Sequence, residues 1–161
     1  MSGNTENTEN TEKPGNTEKP GNTENATPAL TADEKLTLRT AAHAVVSLMA
    51  AADPGPISST RSGMAGGKAL SSATGLVGRV LAEKAKGLDL GGGSTADLAD
   101  RVFTALTDSV TLLNARSPAE AANFRATITT VMDAASRAHR GGPGPAETAM
   151  IGKITAALDA A

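Results

Sequence analysis

The residues of this chain best placed to do chemistry begin with a glycine-rich stretch. Ser62-Gly63-Met64-Ala65-Gly66-Gly67-Lys68-Ala69 invites comparison with a phosphate-cradling loop. Such a loop needs glycine five residues before its Gly-Lys pair, and Ser62 stands there. It also needs a hydroxyl after the lysine to hold Mg²⁺, where Ala69 stands instead. No strand-like run precedes it, so a nucleotide site is not expected. What survives is an anion contact through Gly66, Gly67 and Lys68, should they open a helix.

Around this stretch Arg61, Lys68, Arg79, Lys84 and Lys86 face only Glu83, a local excess of four positive charges. These five are the candidate contacts for an anion, an acidic partner or nucleic acid. Solvated side chains beside an apolar stripe account for them equally well. A helix-turn-helix around Ser71 to Gly75 is weakly supported, because the helix before the turn would be broken by glycine.

Other chemistries lack their parts. His43 and His139 belong to no His-x-x-x-His or Glu-x-x-His pair, which argues against a di-iron carboxylate bundle. His43 reads as a boundary residue, and His139 as a cation favourable to the end of a helix. Asp97 and Asp100, at i and i+3, read as first-turn acids favoured by the helix dipole. Serines are many, but no Gly-x-Ser-x-Gly elbow exists and no histidine is placed to activate one. The chain has no Cys, which removes disulfides, thiolate nucleophiles and zinc-thiolate sites. Phe103 and Phe124 are its only aromatics, so base-stacking platforms and aromatic cages are absent. No catalytic residue, cofactor or metal is expected.

The elements that must position these residues are helical. Thr31 and Glu34 form a capping-box pattern, with Leu38, Ala42, Val45 and Met49 behind it at helical spacing. Asp53-Pro54-Gly55-Pro56 stops that helix. Ile57 to Gly67 shows little periodicity. From Lys68 a second face runs through Leu70, Ala73, Val77, Val80, Leu81 and Ala85, with Gly75 and Gly78 inside it. Ser94 opens a third helix with Leu98, Val102, Leu106, Val110 and Leu113 on its stripe. Ser117-Pro118-Ala119-Glu120 opens a fourth, with Phe124, Ile128, Val131 and Ala135, and Gly141 as its expected left-handed cap. Pro145 and Glu147 open a shorter fifth. No run alternates with period two. The expected fold is therefore all-α, a four- to five-helix bundle over 31–161.

Ahead of the bundle lies a different kind of sequence. Asn-Thr-Glu recurs five times between Asn4 and Glu24, broken twice by Lys-Pro-Gly, and no Leu, Ile, Val, Phe or Met occurs between Ser2 and Ala29. With no apolar surface to offset an ordering cost of roughly 1–2 kcal/mol per residue, residues 1–30 are expected to form a disordered low-complexity tail. Five Glu against two Lys give it a net charge of −3, leaving the body at +1. That near-neutrality gives no global attraction to nucleic acid or an anionic membrane. The longest apolar run, Ala41 to Ala52, is too short to span a bilayer. The N-terminus lacks the layout of a secretory signal, so a cytoplasmic location is expected. The Ala, Gly, Thr and Arg richness is associated with GC-rich bacterial coding. The function expected is protein–protein contact, chiefly self-association. The alternative is a binding module for an anionic ligand or nucleic acid through the basic 61–86 segment.

Overall fold

A computed structural model describes residues 29–84, 88, 90, 93–139 and 141–161. The low-complexity repeat up to Pro28 and the candidate contact Lys86 lie outside the described residues, as does Ala85 of the expected second stripe. Six helices follow one another: α1 (Ala32–Ala52), α2 (Pro56–Ser71), α3 (Gly75–Ala82), α4 (Thr95–Arg116), α5 (Pro118–Arg137) and α6 (Pro145–Asp159). Among the described residues there is no strand, as the absence of period-two patterning predicts.

Both capping boxes form. The Thr31 side chain accepts from the Glu34 amide while Glu34 accepts from the Thr31 amide, and Ser94 and Asp97 do the same for α4. Ser117 caps α5, with Pro118 in its first turn. These starts are local chemistry, so they follow from sequence alone.

The middle of the chain departs from expectation. Ile57 to Gly67 is helix, and the second stripe is divided between two helices. The break falls at Ser72, Ala73 and Thr74, and Gly75 enters α3 at φ +70°, a left-handed conformation that glycine adopts without strain. A Cβ at Gly75 would also lie 2.9 Å from the Asn123 amide nitrogen. Thr74 makes no side-chain cap for α3; the carboxylate of Glu120, on α5, accepts from the Leu76 and Val77 amides instead. The expected cap at Gly141 is also displaced. α5 ends on Ala138 in a right-handed conformation, and the positive φ angles of Gly141 and Gly142 belong to the loop beyond.

α1 and α5 form the middle of the molecule, each packing against all five other helices, while α2 and α3 pack against neither α4 nor α6. The central position of α1 explains its composition. Ala41, Ala42 and Ala44 are fully or almost fully buried and let neighbours approach closely, while Leu38, Val45, Leu48 and Met49 fill the space between. Gly66 plays the matching part on α2, where a Cβ would touch Val46 and Val131 at about 3.4–3.5 Å. The core is completed by Val102, Leu106, Val110 and Leu113 from α4, Phe124, Ile128 and Val131 from α5, and Ile154 and Leu158 from α6. No helix among the described residues is long and apolar enough to cross a membrane.

Candidate functional site

At one end of the bundle, a cleft of about 630 Å³ opens between the α1–α2 corner and the α5–α6 loop. Its floor is polar. Asp53 ends α1 at a turn in which its Oδ1 accepts from the Gly55 amide at 3.1 Å and from the Ser58 hydroxyl at 2.6 Å. Glu147, in the first turn of α6, is held at Oε1 by the Ser136 hydroxyl at 2.8 Å. The remaining oxygens of both carboxylates approach one atom. His139 Nε2 lies 3.2 Å from Asp53 Oδ2 and 3.2 Å from Glu147 Oε2. Each carboxylate side chain is 1 % exposed, and that of His139 is 11 % exposed.

The hydroxyls here bond carboxylates rather than the imidazole, so neither serine is set up as a nucleophile. Nε2 and Asp53 Oδ2 approach each other without hydrogen-bond alignment, and neither atom has a hydrogen-bond partner. Burial pushes the Asp53 carboxyl up, but the Ser58 hydroxyl, the Gly55 amide and the charge of His139 outweigh it and hold the group below the ordinary aspartate value. The arrangement is a polar tie joining the end of α1, the end of α5 and the start of α6. Among the described residues, no three acids or histidines form a metal-ligand set.

The other histidine behaves differently. His43 is half-buried on α1, where desolvation, aided by the charge of Arg39, lowers its pKa.

Ile57 and Arg61 rim the cleft and begin the outer face of α2. That face continues through Met64 and Lys68, all four side chains exposed, and α2 contains no acidic residue. Gly66, Gly67 and Lys68 lie in the last turns of α2, not at its N-terminus, so the expected helix-start anion contact does not exist there. Of the other candidate contacts, Arg79 is exposed on α3, and Lys84 is exposed with its carbonyl accepting from Arg39 at 3.0 Å. Glu83, the one acid of that segment, is taken up by Lys35 at 2.7 Å and Arg39 at 3.7 Å. A helix–turn–helix connection is present in α2 and α3. However, α3 buries Val77, Gly78, Val80 and Leu81 and offers Arg79 as its one basic side chain, which is little for a groove-reading helix.

Two grooves run beside α4, on the side of the molecule away from α2. One lies between α1 and α4, lined by Leu36, Thr40, Thr104 and Ala105, with Asp100 and Asp108 along its edge and a volume of about 580 Å³. The other lies between α4 and α6 and is bordered by the same two aspartates, with Phe103 and Lys153.

Protein-family models, curated proteins and solved structures yield no match to this chain. The geometry above therefore carries the functional argument. The Asp53–His139–Glu147 tie is the feature sequence reasoning missed. Its members are far apart in the chain, and each has an ordinary local role: a helix stop, a dipole-favoured histidine and a first-turn acid. The one available signal was three ionisable residues at three helix ends of one bundle.

Proposed function

We propose that this chain acts through protein–protein contact, and specifically by associating with itself. The observation that carries this reading is the outer face of α2. Ile57 and Met64 are 69 % and 72 % exposed, and they are the exposed large hydrophobic side chains among the described residues. They stand seven residues apart, two turns along one face, so they form a patch rather than scattered exposure. Neither Arg61 nor Lys68, interleaved with them, is in an ion pair among the described residues. An apolar patch interleaved with unpaired cations suits a protein surface that is apolar and acidic.

Sedimentation velocity of the full chain over a wide concentration range tests this. The wild type is expected to grow in mass with concentration, and the double variant Ile57→Ser with Met64→Ser to stay monomeric. Both residues are exposed, so the variant keeps its helical signal and its melting transition. A wild type that is monomeric at every concentration overturns the reading.

A further inference from the structure

The manner of association follows from where the charges sit. We infer that copies join head to tail, the Ile57–Lys68 face of α2 in one copy seating in the α1–α4 groove of the next. This inference rests on the self-association proposed above and specifies its two surfaces.

The two surfaces are complementary in charge and in spacing. On α2, Arg61 and Lys68 are about 10.5 Å apart along the helix axis, at 1.5 Å per residue. On α4, Asp100 and Asp108 are about 12 Å apart by the same measure. Among the described residues, none of these four charges takes part in an ion pair. Arg101 also borders the groove. It stands one turn from Asp97, whose carboxyl is held low first by the Ser94 hydroxyl and amide and then by Arg101 itself. Asp33 is exposed one turn before Thr37 on the α1 side and adds a further negative charge. Leu36 and Ala105 in the groove provide apolar surface for Met64 or Ile57.

Symmetric pairings fail on the same charges. Two α2 faces packed antiparallel about Met64 bring Arg61 of each copy opposite Gly67 and Lys68 of the other. Two α4 faces packed about Thr104 bring Asp100 opposite Asp108. Like charges then meet across either twofold interface. Joining α2 to α4 removes both conflicts. Because α2 and α4 lie on different sides of the α1–α5 middle, each added copy presents a fresh face. Such contacts are heterologous, and they propagate rather than close into a dimer.

Charge reversal in two sets tests the inference. One variant carries Arg61→Glu with Lys68→Glu, the other Asp100→Lys with Asp108→Lys. Each alone should lose self-association by at least about tenfold, and the wild type should weaken similarly when salt is raised well above physiological strength. Mixed in equal amounts, the two variants should associate again, as alternating copies. The intact α2 of the second fits the intact groove of the first, and the reversed α2 of the first meets the reversed groove of the second with opposite charges. Recovery of association in the mixture also reports that both variants are folded. A wild type that associates while both variants associate as it does, or a mixture that stays monomeric, overturns the head-to-tail contact and leaves self-association standing. A monomeric wild type overturns both.

Discussion

The two ends of α1 are held by charges in opposite ways. At its N-terminal end, Glu34 pairs with Arg116 of α4, and Lys35 and Arg39 pair with Glu83 beyond α3. The acids there are 20 % and 41 % exposed, so water screens all three pairs. At its C-terminal end, Asp53, His139 and Glu147 meet with carboxylates 1 % exposed. Charges taken out of water are costly unless their partners remain in place. Losing a partner is therefore cheap at the first end and expensive at the second.

The sharpest way to break that contrast is Glu147→Ala. It leaves Ser136 and His139 facing a buried gap and should cost about 3–5 kcal/mol of unfolding free energy in a denaturant titration. A cost within that of an exposed pair would show that the tie contributes no more than the surface bridges. Next in size is the acid limb of the stability profile. The folded Asp53 carboxyl titrates below its ordinary value of 3.8, so its contribution is fully present above that value and is lost as pH falls through the folded value. Urea midpoints between about pH 2 and 5 should fall for the wild type and fall less steeply for Asp53→Asn. Glu34, Glu83 and Asp97 are held low as well, Glu34 and Asp97 chiefly by capping hydrogen bonds and Glu83 by Lys35, so some slope should remain. An unchanged slope would remove Asp53 from the acid response. The smallest effect is expected at the exposed end, where Lys35→Gln should cost under about 1 kcal/mol. A larger loss there would show that the Glu83 contact locks α3 in place.

Legibility in the sequence followed the range of the interactions. Thr31, Ser94 and Ser117 announce their helices because each cap acts within three residues. Four apolar stripes give the core for the same reason. α2 was obscured by its glycines and serines, which carry little periodicity. Its helicity makes sense once Gly66 is seen filling a narrow space against Val46 and Val131. The division between α2 and α3 was hidden because the cap of α3 comes from Glu120, more than forty residues on. The tie at Asp53 was hidden more completely, since it joins residues 53, 139 and 147 without any local motif.

That borrowed cap sets an order of events in folding. At eight residues, α3 is too short to persist by itself in water, and the groups that satisfy its first amides arrive only with α5. During synthesis, Gly75 to Ala82 are made before Glu120 exists to receive them. α3 is therefore a late structure, formed by α5 docking rather than by its own residues. In a kinetic experiment, substitutions at Val77 or Val80 should speed unfolding while leaving the folding rate nearly untouched.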